Sequence, residues 1–504
     1  MNCTGNRTLS VYVQTTINGT LYVANNAFDA IIIGAAYNRN YSLFNSDINI
    51  TKIACNYNKT TAGITLNLDA GSAADPDNNK FAHNITIGTV DVYYNTVGST
   101  LQLTNSNALH GLALITGIVN MSYNVVSANI NGYMKTGNAT INYNTTATET
   151  ALGATRIRLT YASFSTAAYL ADLVSVGSVL LQATYLTGGT KITSVALISG
   201  TEIEVGIDKP TILAIPASTP LAYYPIQDKT FGNMSMQYNK CNGLVLQYGQ
   251  NAAHYLNGTW TIGAITVGNN IVNNSASIYF YGGTGTIANS RERFNITSIV
   301  NSYNVTGASV ITTFQGRVFI GLAANVGTTN VLTMSNNIAQ IAVTATDTNP
   351  LLVAEAYVTL YGRLSIVGNE TTLITVGGSS YTSGATTPEA TIQMKVPSVE
   401  VYNNNAKITS IRFMFQSVGG TGALVANWIT LYNNQYTELA YLYSFLVGTN
   451  GILVGNGSAY NNDLYYVTSS NIIKNHTTAD IAFNDAKAYD LTSSANVPKK
   501  TNTN

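Results

Sequence analysis

The shortness of its apolar runs constrains this chain most. β-Branched and aromatic runs of strand length alternate with Asn, Gly, Asp and Ser along nearly all of the 504 residues, and helical periodicity is almost absent. Leu9-Ser-Val-Tyr-Val-Gln-Thr15, Thr259-Trp-Thr-Ile-Gly-Ala-Ile-Thr-Val267 and Val310-Ile-Thr-Thr-Phe314 are examples. Only residues 167–182 read as helix, and their β-branched content and Gly177 weaken that reading. No run approaches the ~20 apolar residues of a membrane helix. Apolar clusters such as Ala30-Ile31-Ile32-Ile33 and Leu112-Ala113-Leu114-Ile115 again have strand length. The expected class is all-β, a sandwich or barrel.

Four anchors recur in the same order, at offsets of 229 to 246 residues, close to half the chain. Asn49-Ile-Thr-Lys-Ile-Ala-Cys-Asn-Tyr-Asn58 matches Asn295-Ile-Thr-Ser-Ile-Val-Asn-Ser-Tyr-Asn304. Residues 97–107 match 326–336, Gly137-Asn138 matches Gly368-Asn369, and Asn18-Gly-Thr20 matches Asn257-Gly-Thr259. They point to a tandem duplication giving two related β-sandwich domains, jelly-roll or Ig-like, over 1–225 and 226–504. The seam is placed at Pro210, Pro216, Pro220 and Pro225, because proline cannot donate to a central strand ladder. Just before it, residues 188–205 resemble a small β-unit common in phage tail and bacterial surface proteins. That resemblance implies a surface or virion setting.

The surface must be kept wet by neutral groups. Charged residues make up 9% of the chain, with Lys plus Arg balancing Asp plus Glu at 23 each. Neither nucleic acid nor an anionic membrane finds a basic patch here. Asn-x-Ser/Thr occurs 18 times, at Asn2, Asn6, Asn18, Asn40, Asn49, Asn58, Asn84, Asn120, Asn138, Asn144, Asn233, Asn257, Asn273, Asn295, Asn304, Asn369, Asn456 and Asn475. No site falls between Asn144 and Asn233, and several recur at matched positions, so N-glycans at several of them are expected. Tyr-Asn recurs ten times, beginning at Tyr37, Tyr57, Tyr94, Tyr123, Tyr143, Tyr238, Tyr303, Tyr402, Tyr432 and Tyr460. The expected reading is a strand end, with the tyrosine ring buried and its hydroxyl wet while Asn takes the turn conformation. The other reading is rings that stack on glycans or on a neighbouring subunit.

Little points to catalysis. His83, His110, His254 and His476 have no His or Cys at metal-ligand spacing, and neither a nucleophile elbow nor a phosphate-binding loop is present. Gly283-Thr-Gly285 with Ala288 lacks the βαβ context of a dinucleotide site. Glu202 and Glu204 share one strand face, which reads as solvated. Asp69, Asp75, Asp77 and Asn79 start like a calcium loop, but Lys80 replaces the loop glycine and Thr86 the terminal acid, so a calcium site and a solvated turn both stay open. No other cofactor is expected. Of Cys3, Cys55 and Cys241, Cys3–Cys55 is the disulfide to test against three buried thiols. Met1 precedes Asn2-Cys3-Thr4 with no basic-plus-apolar leader. Read as an initiator it favours a viral origin, and read as the start of a fragment it says nothing.

The Asn-Thr-Tyr richness, dense sequons and few charges resemble surface and virion proteins of thermophilic archaea. The resemblance is compositional and implies no functional residue. The expected function is structural and not enzymatic: an extracellular subunit, packed against copies of itself or other subunits, in the capsid, turret, spike or tail of an archaeal virus. Alternatives are a cellular surface-layer or filament subunit, and a carbohydrate-binding adhesin or glycoside hydrolase. The last would need an aromatic strip or two facing carboxylates.

Overall fold

The computed structural model describes residues 7–489 apart from 14–15, 36–47, 69–84, 106–112, 135–140, 146–149, 161–175, 178, 182–183, 200–201, 225–228, 250–258, 283–292, 316, 323–328, 348–354, 381–390, 407–410, 418–420, 433, 437–451, 461, 469–470 and 478–482. Among the described residues every regular element is a β-strand. The all-β expectation holds, but the sandwich does not. Sandwiches pair their strands antiparallel. Here the strands of successive coils pair in parallel, and the fold is a parallel β-solenoid, with antiparallel pairing only in an inserted sheet and between the last described strands.

Two faces repeat. The first contains Ile48–Asn56, Ile85–Tyr93, Ile118–Ser122, Asn233–Gln237, Thr259–Gly268 and Arg293–Ser302, and continues through Asn330–Ser335, Arg363–Val367, Thr391–Tyr402 and Thr421–Tyr432. The second contains Ala30–Ala35, Ile64–Asn67, Leu101–Asn105, Asn129–Met134, Gly243–Gly249 and Ala276–Tyr281, and continues to Ile411–Ser417. In-register stacking puts like on like. Ile31, Ile64, Leu101, Ile130, Leu244, Ala276, Val310, Ile341 and Ile374 form one buried column. Ile53, Val90, Val119, Met234, Ile265, Ile299, Leu332, Leu364 and Val399 face it from the other side. No coil could bury these side chains alone, so stability comes from the neighbours. Aromatics fill the middle, where Tyr248, Phe280 and Phe314 stack at 5.4 and 5.5 Å beside Trp260 and Phe294.

The first face bends at stacked glycines. A Cβ on Gly232 would lie 1.5 Å from the Gly117 carbonyl oxygen, and one on Gly117 would lie 2.0 Å from that of Gly88. The backbones approach too closely for any side chain.

The stack does not divide at residue 225. Ile118 pairs with Asn233, Val125 with Lys240 and Asn129 with Gly243, so coils on either side of the expected seam are neighbours. An inserted unit lies between them. Ile141–Thr145, Arg156–Thr160, Val179–Leu181, Ile192–Leu197, Glu202–Ile207 and Pro220–Tyr224 make an antiparallel sheet with its own core, including Ile157, Leu159, Ile203, Val205 and Leu221. Pro210, Pro216 and Pro220 lie within this insertion and do not join two halves, and Pro225 is outside the described residues. The β-unit of residues 188–205 is a hairpin within it. The duplicated anchors have a different cause as well. Residues 49–58 and 295–304 hold the same place in two coils, each ending on a corner asparagine. The match of 97–107 with 326–336 has no such basis, since Leu101–Asn105 lies on the second face and Asn330–Ser335 on the first. The true repeat is one coil.

Candidate functional site: an exposed tyrosine edge over a buried asparagine ladder

The chain passes from the first face to the second through a two-residue corner. The first residue has a left-handed backbone: Asn25, Tyr57, Tyr94, Tyr123, Tyr238, Asn269, Tyr303, Asn336, Gly368 and Asn403, with φ between 53° and 67°. The second is always asparagine. Successive corner asparagines are 29 to 37 residues apart, except Asn124 and Asn239 at 115, where the insertion intervenes.

These asparagines point inward and form a ladder. Asn95 is typical. Its backbone N–H and its Nδ2 both donate to Oδ1 of Asn124, at 3.0 Å each, and Nδ2 also donates to the carbonyl of Cys55 at 2.8 Å. The same three bonds recur from Asn58 to Asn404. Each interior carboxamide thus accepts two hydrogen bonds and donates two, which is why a polar column can occupy the core. An amide of this length reaches both the next corner and the previous strand; aspartate would lack the donors.

The tyrosines reverse the expected reading. In the pairs at Tyr57, Tyr94, Tyr123, Tyr238 and Tyr303 the asparagine is buried, and the tyrosine takes the turn conformation and lies outside. Tyr57, Tyr94, Tyr123 and Tyr238 stack in consecutive coils with centroids 5.1, 4.9 and 4.8 Å apart and interplanar angles of 5° to 16°. Each remains 42% to 57% exposed. A left-handed backbone is an outlier for a bulky residue, and ring stacking of about 0.5–1.5 kcal/mol per pair offsets part of that cost. At Tyr402-Asn403-Asn404 the motif slips by one, and Asn403 takes the corner.

The sequons divide into four groups. Asn58, Asn304 and Asn369 are ladder rungs, buried with their amides fully bonded, so glycans at these three do not fit the folded chain. Asn18, Asn49, Asn233 and Asn273 are exposed, and Asn120 and Asn295 are half-buried. Asn144 and Asn456 lie in strands that pair through Asn144↔Thr160 and Trp428↔Asn456, and Asn475 pairs with Leu464. Asn2, Asn6, Asn40, Asn84, Asn138 and Asn257 lie outside the described residues.

Cys55 is a buried free thiol that receives a hydrogen bond from Asn58 Nδ2 at 3.4 Å, and burial pushes it up to about 12. Cys241 is likewise a buried thiol pushed up to about 12. Both are as the buried-thiol reading describes; Cys3, and with it the Cys3–Cys55 pairing, lies outside the described residues. Asp69, Asp75, Asp77 and Asn79 also lie outside them, and the described residues contain no group of three metal-ligating side chains. Glu204 is held by Arg156 at 2.7 Å and by Arg158 at 3.7 Å, a partly exposed ion-pair cluster on the insertion.

No family model matches the chain, and no curated protein matches it. It is similar to two solved phage tailspikes. One is Gp54 of Acinetobacter baumannii bacteriophage AP22, in complex with A. baumannii capsular saccharide (9% identity, TM-score 0.18, 79% of this chain and 74% of that one). The other is gp49 of Pseudomonas phage LKA1 (11% identity, TM-score 0.15, 79% and 75%). At TM-scores this low neither likeness carries an argument about what this chain does.

The corner edge is the surface feature with the clearest chemical character. It presents aromatic rings and phenol hydroxyls at a fixed spacing, with Lys59, Lys240 and Glu370 exposed beside it. The adhesin alternative required an aromatic strip, and here one exists. The sequence signal for it was the Tyr-Asn repeat, taken together with the Asn-Asn and Gly-Asn pairs that fill the same corner.

Proposed function

We propose that this chain is a rigid structural subunit on the outside of a virion, forming a spike or fibre and packing against further copies of itself. The observation that supports the reading is the continuity of the ladder from Asn26 to Asn434. A stack held by parallel strand pairing, a hydrogen-bonded column and one aliphatic core resists bending and local opening. The near absence of charge removes long-range repulsion between identical subunits. In this reading the chain carries load and presents a surface, with no catalytic step. The compositional resemblance to archaeal surface proteins makes an archaeal virus the proposed source.

Electron microscopy of the purified chain and of native particles tests this. The expected result is straight rods that lengthen by about 4.8 Å per coil, found as projections on particles. Flexible beads, or rods located only inside the cell, would overturn it.

A further inference from the structure

The tyrosine stack has a gap. Tyr57, Tyr94, Tyr123 and Tyr238 occupy consecutive coils at 4.8 to 5.1 Å. The next coil places Asn269 at the corner, and the one after that places Tyr303. Backbone bonds fix this order: Tyr238 N–H donates to the carbonyl of Gly268, and Asn269 N–H to that of Ser302. Tyr238 and Tyr303 have φ of 56° and 58°, so the two residues hold the same left-handed corner backbone. Two strand spacings separate them, roughly 9.5 Å. Between two rings at that distance there is room for one more ring at the spacing of the stack.

We propose that this missing rung is a binding site for one pyranose unit of a neutral saccharide, held between the rings of Tyr238 and Tyr303 over the amide of Asn269. The proposal stands independently of the spike reading.

Three observations carry it. First, Tyr303 has the strained backbone of the other corner tyrosines without their compensation. Its corner neighbours are Asn269 and Asn336, and its ring has no aromatic contact among the described residues. It is 56% exposed, matching Tyr57 at the end of the stack. Strain held without an internal partner points to an external one. Second, the amide of Asn269 makes no hydrogen bond among the described residues, unlike the fully bonded asparagine that follows it. An amide offers one acceptor and two donors, which suits adjacent ring hydroxyls. Third, Ile271 and Val305, paired beside the corner, are 54% and 44% exposed. They give the C–H face of a neighbouring sugar an apolar rest, and exposed Lys240, paired with Ile271, adds a donor to its rim. A pyranose has apolar faces and a hydroxylated rim, which is the pattern the rings, the amide and the aliphatic pair present. A purely apolar partner would leave the Asn269 amide unpaired on burial.

The test uses the full chain, titrated with cellohexaose, chitohexaose and mannohexaose by calorimetry and saturation-transfer NMR. At least one should bind at millimolar concentration or better. Tyr303→Ala removes one wall and should weaken binding about tenfold, as loss of one aromatic stacking surface does. Asn269→Tyr fills the gap. It should abolish binding while the protein melts at or above the wild-type temperature, because the added ring extends the stack. Tyr22→Ala, on the first face and 70% exposed, should bind as wild type. The proposal fails if none of the three saccharides binds, or if Asn269→Tyr binds like wild type. It also fails if sedimentation shows self-association that Asn269→Tyr abolishes in a chain that takes up no sugar; the slot then belongs to an aromatic side chain of a second copy.

Discussion

Asn124 and Asn239 are 115 residues apart in the chain and one rung apart in the ladder. The backbone N–H and the Nδ2 of Asn124 both donate to Oδ1 of Asn239, at 3.0 and 3.1 Å. An entire inserted sheet leaves and returns between them without interrupting the column. The insertion is therefore an addition to a finished coil, and the corner geometry carries the fold across it.

Replacing Asn239 by alanine should expose how much the column contributes. It strands the two Asn124 donors and takes the Nδ2 donor from the Met121 carbonyl, all in a buried setting, while Oδ1 of Asn270 keeps the backbone N–H of residue 239. Each unsatisfied group costs about 1–3 kcal/mol, so a loss of about 3 kcal/mol or more is expected in urea unfolding. Hydrogen exchange should quicken first in the coils that flank Asn239. A loss below about 1 kcal/mol would show that the ladder is dispensable.

Gly232→Ala should be worse than its size suggests. The new methyl carbon meets the Gly117 carbonyl oxygen at 1.5 Å, and both are backbone positions pinned by strand pairing. The backbone must shift in two coils. The variant should be recovered mostly insoluble, or melt well below wild type, whereas Gly19→Ala, which meets nothing, should behave normally.

Glycopeptide mapping of protein made in a glycosylating host should separate the sequons by burial. Sugar is expected among Asn18, Asn49, Asn233 and Asn273 and absent from Asn58, Asn304 and Asn369 in the soluble fraction. Full occupancy at a ladder asparagine in folded protein would contradict the column.

Alkaline pH should destabilise the fold. Burial foremost, with Asp91 for Tyr93 and Tyr279 for Tyr281, pushes these two phenols up to about 12 from the ordinary 10. The folded chain thus favours the neutral phenol, so the stability this supplies is complete below pH 10 and is lost as pH rises towards 12. A melting temperature that holds level to pH 10 and then falls is expected. Cys55 and Cys241, raised in the same way, should stay unreactive to a thiol reagent at pH 8 until the chain is unfolded.

The strand character of the chain was legible because period-two runs such as Thr259–Gly268 must place alternate residues on opposite faces, whatever they pack against. The recurrence of Tyr-Asn was legible too, and so was the low charge. What the sequence could not convey was the partner of each strand. A half-buried strand reads alike in a sandwich and in a solenoid, and coil lengths of 29 to 37 residues blur the period. Composition pointed to Asn58 as a sugar acceptor and Tyr57 as the buried member of the pair. Stacking decided the opposite, because an asparagine facing inward meets another asparagine one strand spacing away and satisfies every polar atom, while a tyrosine facing outward meets another ring. The sequence by itself determined strands, corners and a neutral surface. Only the tertiary structure decided that the corners align, since alignment depends on contacts between residues that are close only once every coil is wound.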